Sequence, residues 1–322
     1  MNAATPALEV EGLRTHFFTR EGVVKAVDDV SFTVGRGRIL GLVGESGSGK
    51  SMTGYSILGL VDPPGRIVSG RVVLEGRELT TLSPSQWRHV RGDRVSMIFQ
   101  DPMMTLNPVL RIDTQMVEAV RAHRGVSRAE ALERSRAALE RVGIASPGER
   151  LRQYPHQFSG GMRQRVAIAI ALLNEPALVI ADEPTTALDV TVQGQILAQM
   201  QALCRDSGTS LIWITHDLSV IAGLADDVCV MYAGRIVESG SVDDVLDHPM
   251  HPYTRGLLDS VPARNTPGRP LAQIRGMTPS LMHLPPGCAF RDRCSRAIDP
   301  CRAAPPWQAT PGRGLRCVNP LR

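Results

Sequence analysis

The sequence predicts an α/β fold built on a buried, mostly parallel β-sheet, and two observations support this prediction. First, residues 38–43, 95–99, 177–181 and 210–215 are short, almost continuously apolar segments, as expected of strands buried on both faces of a parallel sheet. Second, a glycine or a polar residue follows each segment: Gly44, Gln100, Asp182 and His216. Because ligands of open α/β sheets bind where the strands end, we expect one ligand site at one edge of one sheet.

The remaining segments predict the elements that flank this sheet. Residues 8–34 alternate loosely between apolar and polar and contain Gly12 and Gly22, which favours short antiparallel strands, and residues 70–76 predict another strand. Between residues 107 and 155 apolar side chains recur at helical spacing, which predicts a mostly helical insert. Proline and glycine become dense after about Asp247, so we expect the sheet to end there and an irregular tail with one short helix to follow.

Composition and charge exclude several classes of protein. A chain of 322 residues, 43% hydrophobic and 21% charged, is globular and long enough for one large domain with an appendage, or for two domains. The net charge is +4; residues 285–322 hold seven Arg and two Asp, or +5, so the other 284 residues sum to −1. This near-neutral body argues against nucleic acid as a partner. The sequence lacks an apolar run of ~18 residues and a signal-peptide pattern, so we expect a cytosolic chain.

A phosphate-binding loop directly follows the first apolar segment. It reads Gly44, Glu45, Ser46, Gly47, Ser48, Gly49, Lys50, Ser51, which fits G-x-x-x-x-G-K-S/T between a strand and an apolar helical stretch. Glycines let backbone N–H groups turn toward phosphate oxygens, and the start of the helix adds a partial positive charge. Lys50 can then reach the β- and γ-phosphates of a nucleotide, and the Ser51 hydroxyl can bind Mg²⁺.

The third apolar segment ends in two carboxylates, Asp182 and Glu183. Asp182 would hold Mg²⁺, through water, and Glu183 would polarise an attacking water as a general base. Asp-Glu-Pro after a strand is also a good turn and helix start, so this pair by itself leaves a purely structural role open. Its occurrence in one chain with a phosphate loop favours the catalytic role.

A second helix start has the features of an anion site. Ser159 suits an N-cap position, while Gly160 and Gly161 leave the beginning of the helix uncovered. Apolar residues follow at helical spacing from Met162 onward. An unshielded helix N-terminus attracts anions, but the chain has only one phosphate cradle. This second start is therefore expected to serve a nucleotide bound by another chain.

Taken together, these motifs resemble the ATP-binding subunits of ABC transporters, over roughly residues 8–245. Residues 159–163 match the signature motif of that family, with Met162 where glutamine is commonest. Gln100 matches the Q-loop, residues 187–189 with Asp189 match the D-loop, and His216 matches the switch histidine. The resemblance implies ATP and Mg²⁺ as ligands, with Ser51, Gln100 and Asp182 at the metal and His216 sensing the γ-phosphate. A histidine in this position is otherwise usually structural.

The resemblance also implies a division of the chain. Residues 1–100 and 170–247 would form a RecA-like, mostly parallel core with an antiparallel β subdomain, and residues 101–169 a helical signature subdomain. Residues 248–322 would form an irregular C-terminal extension rich in cysteine and proline. An aromatic ring upstream of the cradle would stack on adenine, and we predict Phe17 for this role. Phe17 and its neighbour Phe18 are equally compatible with a place in the core.

Three further segments, residues 100–108, 154–162 and 251–258, resemble the dipeptide and oligopeptide importer branch of the family. Nickel importers share much of these segments, so an ATPase for nickel or another small solute is the alternative. Met162 resembles the D-type subunit, which pairs with an F-type cassette. The implied complex also contains two membrane permeases and an extracytoplasmic solute-binding protein, and it places this chain at the cytoplasmic face of the inner membrane.

In such a complex each ATP lies between the cradle of one cassette and the signature motif of the other. Ser159 and Gly161 would then contact the γ-phosphate held by the partner, and Gln100 would couple hydrolysis to the membrane subunits. Two other classes compete with this interpretation. A non-transport ABC ATPase acting on DNA or ribosomes is disfavoured by the single cassette and neutral body, and a P-loop kinase by Glu183 together with the signature.

Four of the six cysteines lie close together in the tail, at Cys288, Cys294, Cys301 and Cys317, with the spacing C-x5-C-x6-C-x15-C. Structural zinc sites usually have C-x2–4-C knuckles, which are missing from this spacing. Four thiolates at wide spacing favour a 4Fe–4S cluster, and some D-type subunits carry one in such an extension. Zinc, or no metal at all, remains the alternative.

Overall fold

The structure, a computed structural model, describes residues 5–186, 188–265, 268 and 270–321. Ala187 of the predicted D-loop, together with residues 1–4, 266, 267, 269 and 322 of the predicted domains, lies outside the described residues. The strands are β1 Leu8–Thr19, β2 Gly22–Val34, β3 Ile39–Val43, β4 Gly65–Leu74, β5 Arg77–Glu78, β6 Val95–Ile98, β7 Leu178–Asp182, β8 Ser210–Thr215, β9 Asp227–Tyr232, β10 Arg235–Ser241, β11 Gln308–Thr310 and β12 Arg313–Leu315.

Ten α-helices lie in the described residues. They are α1 Lys50–Ile57, α2 Pro84–Arg88, α3 Ile112–Arg121, α4 Arg128–Arg141, α5 Pro147–Arg150, α6 Gly160–Leu172, α7 Val190–Ser207, α8 Leu218–Leu224, α9 Val242–Asp247 and α10 Pro252–Asp259. Four of them, α3 to α6, lie between β6 and β7. In the part of the chain that the structure describes, every helix is too short or too polar to cross a membrane.

The chain divides into two compact units. The first, called the loop unit below, comprises Leu8–Val34, Ile39–Thr80 and Trp213–Arg322; the second, the carboxylate unit, comprises Met1–Ala7, Gly35–Arg38 and Thr81–Ile212. Strand β8 begins in the carboxylate unit and ends in the loop unit. The division into core, signature subdomain and extension that the resemblance implies stays a prediction.

The loop unit contains a four-stranded antiparallel sheet in the order β2-β1-β4-β5. Its first two strands are 12 and 13 residues long, so the expectation of short strands was wrong. The reason is Gly12, which has a positive φ of 54° and lies at a register shift between β1 and β2. The glycine is therefore part of a bulge within one continuous strand rather than a turn between two short ones.

A second set of strands in the loop unit places the phosphate loop. All five residues of β3 are buried, and β3 runs parallel to β9, with Leu42 opposite Cys229. Strand β10 is antiparallel to β9, and β12 from the tail is antiparallel to β10. The strands of this unit thus continue beyond Asp247, where we expected them to end. Burial of the Glu238 carboxylate explains the attachment, because it accepts hydrogen bonds from Arg313 and from the backbone N–H groups of Met250 and His251.

In the carboxylate unit β6 and β7 pair in parallel, with Ile98 opposite Ala181. Every residue of both strands is buried, which accounts for their mostly apolar sequence. Helices α3, α4 and α5 form where the helical spacing predicts an insert, and α4 packs against both α3 and α6. The apolar side of α6 that the spacing from Met162 predicts is buried, including Val166 and Ala169. These contacts fix the helix whose start carries the signature motif.

Candidate nucleotide-binding site

The phosphate loop connects β3 to α1 in the loop unit, as the motif predicts. Gly44, Gly47 and Gly49 have φ values of 155°, 77° and 101°, in the positive range that L side chains rarely adopt. A Cβ at Gly44 would lie 2.2 Å from the carbonyl oxygen of Met231, and one at Gly49 would lie 2.2 Å from that of Ala26. Neighbouring backbone therefore encloses the loop so closely that only glycine fits at both positions.

The functional groups of the loop are already held in place. Lys50 is 4% exposed, and its Nζ donates hydrogen bonds to the carbonyl oxygens of Gly44 at 2.8 Å and Glu45 at 3.0 Å. The carbonyl of Ser48 accepts from the N–H of Gly234 at 2.9 Å, while its buried Oγ has no hydrogen-bond partner among the described residues. Gly49 is the N-cap of α1, and Ser46 and Gly47 are exposed. The loop thus presents its outer turn to solvent and keeps its lysine folded inward.

Glu45 is bound by the C-terminal extension, which the sequence did not indicate. Its backbone N–H donates to the Tyr253 hydroxyl at 2.8 Å. Its carboxylate accepts from Arg293 Nη1 at 2.6 Å and Nη2 at 2.9 Å, and from the Thr278 hydroxyl at 3.1 Å. The hydrogen bonds from Arg293 keep the pKa of Glu45 below its usual value, although burial opposes the shift. These partners are 208 to 248 residues away in sequence, so no local pattern could have identified them.

The aromatic residues upstream of the loop lie near the end of β1. Phe17 is half-buried and packs closely on Gly65, where a Cβ would lie 2.6 Å from Phe17 Cε1. Phe18 is 39% exposed, and the guanidinium of Arg66 lies 4.2 Å from its ring centroid. Both rings therefore already have a protein neighbour, and stacking of Phe17 on adenine stays a prediction.

His216, the fourth residue predicted from a strand end, also belongs to the loop unit. It directly follows β8 and is exposed. The next residue, Asp217, is the N-cap of α8 and accepts hydrogen bonds from the N–H and the hydroxyl of Ser219 at 2.8 and 2.6 Å. A buried strand and a capped helix thus fix the backbone on both sides of an exposed imidazole.

The predicted carboxylates lie at the end of β7 in the carboxylate unit. Asp182 is 2% exposed, whereas Glu183 is half-buried and has a positive φ of 43°. Gln100 follows the neighbouring strand β6, and its Nε2 lies 3.5 Å from Glu183 Oε2, at the outer limit of a hydrogen bond. The Thr186 hydroxyl donates to the same oxygen at 3.1 Å. The structure therefore brings Gln100 and Glu183 together, and it holds Glu183 in a strained backbone conformation of the kind found at functional sites.

The signature residues form the open start of α6. Ser159 is the N-cap, and its Oγ accepts from the N–H of Met162 at 3.3 Å. Ser159 and Gly160 are exposed, and a Cβ at Gly160 would meet no described atom within 4 Å. Asp189 of the D-loop caps α7 in the same way, accepting from the N–H of Val192 at 3.0 Å. Both predicted motifs are thus exposed helix starts of the carboxylate unit.

The four tail cysteines line one small cavity of the loop unit, together with His251 and Phe290. All four cysteines are free thiols, and burial raises the pKa of Cys288, Cys294 and Cys317. Among the described residues, however, no three His, Cys, Asp or Glu side chains form a group that could hold a metal ion. The predicted 4Fe–4S cluster and its zinc alternative therefore gain no support from a preformed metal site. What the structure shows is only that the four cysteines line one cavity.

Comparison with known proteins identifies relatives along nearly the whole chain. The profile of the ABC transporter family matches residues 27–186, and that of the oligopeptide/dipeptide transporter C-terminal region matches residues 237–301. The oligopeptide transport ATP-binding protein OppD of Salmonella typhimurium is 49% identical over 319 residues, which cover 99% of this chain and 95% of that protein. The oligopeptide transport ATP-binding protein AppD of Bacillus subtilis is 47% identical over 313 residues, 96% of this chain and 95% of that protein.

Solved structures show the same fold. A dimeric ATP-binding cassette in a post-hydrolysis state, bound to ADP and Pi, has a TM-score of 0.66 and 25% sequence identity, covering 73% of this chain and 98% of that one. The cassette cbiO1 of Clostridium perfringens, part of the transporter complex cbiONQ, has a TM-score of 0.64 and 26% identity, covering 76% of this chain and 91% of that one. The predicted α/β cassette fold is thereby confirmed.

Proposed function

The chain belongs to the ATP-binding proteins of oligopeptide ABC transporters, and from this premise we propose that it hydrolyses ATP to power the import of oligopeptides or dipeptides. The observation that carries the ATPase activity is the enclosed phosphate loop, with Lys50 buried behind it and the start of α1, which has no side-chain cap, after it. The similarity of the C-terminal region to oligopeptide and dipeptide transporters favours a peptide over nickel as the solute.

We assign the ATP-binding residues as the motif and the site geometry suggest. Backbone N–H groups of residues 47–51 would bind the phosphates, and Lys50 would move from the loop carbonyls to the β- and γ-phosphates. Ser51, Gln100 and Asp182 would hold Mg²⁺, which stabilises the charge on the phosphates when it is bound. Glu183 would orient and deprotonate the attacking water, and the hydroxyl of Thr186 and the amide of Gln100 support its carboxylate in position.

The open start of α6 is best explained by a second cassette. Gly160 is exposed and uncrowded, so the phosphate of a nucleotide on another chain could approach the N–H groups there. We therefore propose that this chain pairs with an F-type cassette, each supplying a signature motif to the other, with Asp189 of the D-loop beside the contact. Two membrane permeases and an extracytoplasmic peptide-binding protein complete the transporter, which would place the chain at the cytoplasmic face of the inner membrane.

Replacement of Lys50 in the complete transporter tests this function. Membrane vesicles that hold the transporter, with ATP inside, should accumulate a labelled oligopeptide, and Lys50→Ala should abolish uptake because the phosphates lose their cation. The chain has one other lysine, Lys25, which lies on β2, so Lys25→Ala is the matched control and should transport normally. Normal uptake by Lys50→Ala would contradict the ATPase proposal. Uptake of nickel but not of peptides would contradict the peptide proposal alone.

We further propose that Cys288, Cys294, Cys301 and Cys317 bind a 4Fe–4S cluster with a structural role. The place of all four cysteines in the lining of one small cavity supports this, since the four ligands of such a cluster must face a common centre. The extension is also rich in proline and poor in apolar side chains, so a bound cluster would fix loops that cannot bury a core of their own.

Chain purified without oxygen should be brown, absorb broadly near ~400 nm and contain about four iron atoms, as a four-thiolate cluster requires. Any single Cys→Ser change among the four should bleach the protein. The control is Cys204→Ala, because Cys204 is a buried thiol of the carboxylate unit whose pKa burial raises to about 12. Colourless protein with one zinc per chain would contradict the cluster and leave a metal site, and protein without metal would contradict both.

A further inference from the structure

We propose that Arg293 of the C-terminal extension is a positioning residue for the phosphate loop, which it controls by neutralising and holding Glu45. The proposal rests on the proposed nucleotide binding of the loop and adds a regulatory contact to it. Arg293 lies in a short 3-10 turn, Arg291–Arg293, next to the cysteine Cys294. The extension would thereby set how tightly the loop binds the phosphates of a nucleotide.

The pairing between Arg293 and Glu45 has the geometry of a strong, specific contact. Two guanidinium nitrogens each approach one carboxylate oxygen, at 2.6 and 2.9 Å, in the bidentate arrangement of an arginine–carboxylate pair. The Arg293 side chain is only 7% exposed and that of Glu45 27%, so the pair is largely shielded from solvent and salt. Arg293 Nε donates to the carbonyl of Arg275 at 3.0 Å, which fixes the guanidinium from its other side.

Aromatic packing fixes the turn that carries Arg293. Phe290, the N-cap of the turn, lies 5.2 Å from Tyr232 and 5.3 Å from Tyr253, centroid to centroid, with its ring edge-on to both. The Arg293 guanidinium lies 5.8 Å from the Tyr232 ring centroid. Tyr232 ends β9, the strand parallel to β3, from which the phosphate loop starts. The turn and the loop are thus supported by the same pair of strands.

Glu45 connects this support to the lysine of the loop. Its backbone carbonyl accepts a hydrogen bond from Lys50 Nζ, and its carboxylate is close enough to Lys50 for their charges to interact. If Arg293 did not neutralise it, this carboxylate would attract the Lys50 ammonium and repel phosphate oxygens, and both effects are stronger in a shielded site than in water. Because Arg293 neutralises the carboxylate, Lys50 is not drawn toward Glu45 and the phosphate oxygens are not repelled.

The contact to Tyr253 has a complementary effect on the backbone. The Tyr253 hydroxyl accepts a hydrogen bond from the N–H of Glu45, and Tyr253 lies fully buried in α10 at the start of the extension. The N–H at this second position of the loop is therefore used for anchoring rather than for binding phosphate. Side chain and backbone of Glu45 are both held by the extension, so loosening of the extension should weaken nucleotide binding.

The test measures the Kd of purified full-length chain for a fluorescent Mg-ATP analogue. Arg293→Ala should raise the Kd about tenfold, the factor that ~1.4 kcal/mol of lost interaction produces. Adding Glu45→Gln to Arg293→Ala should return the Kd to within about twofold of wild type, because the unpaired carboxylate is then gone. Arg291→Ala, in the same turn but paired with Asp292 instead, is the control and should bind like wild type.

Restoration of binding by Glu45→Gln distinguishes a positioning role of Arg293 from a merely structural one. If Arg293 only helped the extension to fold, removing the Glu45 charge would not restore binding, and that result would overturn the proposal. Unchanged binding by Arg293→Ala would overturn it as well. If Arg293→Ala does not fold, Arg293→Lys replaces it as the test variant. Arg293→Lys should weaken nucleotide binding by a smaller factor, and adding Glu45→Gln should again restore binding. Absence of either effect would overturn the proposal. Failure of wild-type chain to bind the analogue would contradict the proposed function rather than this inference.

In the complete transporter the same variants give a second readout. Arg293→Ala should raise the KM for ATP with less than about a twofold change in kcat, as expected when binding of the ground state and of the transition state weakens equally. A loss of kcat at unchanged KM would place Arg293 in the chemical step and would contradict the positioning role.

Discussion

The helix starts at α1 and α6 are both glycine-rich and both exposed in part, yet they are built in opposite ways. At α1 the backbone is crowded: a Cβ at Gly49 would lie 2.2 Å from a carbonyl oxygen, and φ there is +101°. At α6 the backbone is open at Gly160, where a Cβ would meet no described atom within 4 Å and φ is not in the positive range, and a Cβ at Gly161 would lie 3.2 Å from Val192 Cγ1. The first start is enclosed by backbone of its own chain, whereas Gly160 at the second is not.

This difference shows how one chain can carry two phosphate-binding helix starts with different uses. Glycine at α1 is required by conformation and by lack of space, so the cradle forms within the loop unit alone. Gly160 at α6 is required by neither, so its small size matters only for something that approaches from outside. The comparison therefore supports the proposal that the first start binds the nucleotide of this chain and the second contacts the nucleotide of a partner.

The largest effect on hydrolysis with ATP binding intact should come from a residue at neither helix start, because we propose that both starts bind phosphate and that Glu183 activates the water. Glu183→Gln keeps the shape of the side chain but cannot accept the proton of the attacking water. The kcat of the complete transporter should fall by ~10²–10⁴, the usual contribution of a general base, while ATP binding stays intact. Steady-state ATPase assays and nucleotide titrations of the same preparation measure both quantities.

The control for this change is Glu175→Gln. Glu175 also lies in the carboxylate unit and also has a positive φ, 54° against 43° for Glu183, but it follows α6 and is exposed. It should therefore match Glu183 in backbone strain without sharing its role, and Glu175→Gln should hydrolyse ATP normally. Wild-type turnover by Glu183→Gln would show that the base is another residue.

A pair of identical substitutions sharpens the comparison of the two starts. Gly49→Ala places a methyl group against the carbonyl of Ala26 and imposes an unfavourable φ, so it should lower the free energy of unfolding by about 3 kcal/mol or more and abolish nucleotide binding. Gly160→Ala meets neither obstacle and should change the free energy of unfolding by less than about 0.5 kcal/mol. Urea unfolding of the two variants measures both values. Equal costs at the two positions would show that the second start is as crowded as the first.

The sequence predicted the elements whose cause is local. Strands β3, β6, β7 and β8 lie within about one residue of the predicted segments, because burial on both faces leaves an almost continuously apolar run in the sequence. The phosphate loop and the helix cap at Ser159 could also be predicted from the sequence, since each is a short motif with its own geometry. The prediction of short strands around Gly12 was wrong because a bulge and a turn both favour glycine, and only the strand pairing distinguishes them.

Contacts between distant segments could not be predicted. The pairing of Arg293 with Glu45 joins positions 248 residues apart, and nothing near Arg293 sets it apart from the other arginines of the tail. The attachment of β12 to β10 depends on the buried Glu238, whose burial is not apparent from its neighbours in sequence. Such contacts depend on the folded position of the extension, which the irregular, proline-rich tail sequence does not specify.

The smallest effect on this chain alone, and the sharpest test of the open start, should come from Ser159→Asp. Aspartate caps a helix about as well as serine, so unfolding free energy should change by less than ~0.5 kcal/mol, and binding of ATP to the chain's own loop should not change. The new carboxylate would, however, stand where the γ-phosphate on the partner approaches, and like charges repel more strongly in a closed, water-poor contact. ATP hydrolysis by the complete transporter should therefore fall by about tenfold, which corresponds to ~1.4 kcal/mol of lost interaction.

Ser127→Asp is the matched control, because Ser127 caps α4 in the same unit and its Oγ accepts a hydrogen bond from the Glu130 N–H at 3.1 Å. Both variants should unfold alike, and only Ser159→Asp should slow hydrolysis; if the two hydrolyse ATP equally well, the start of α6 does not contact a nucleotide.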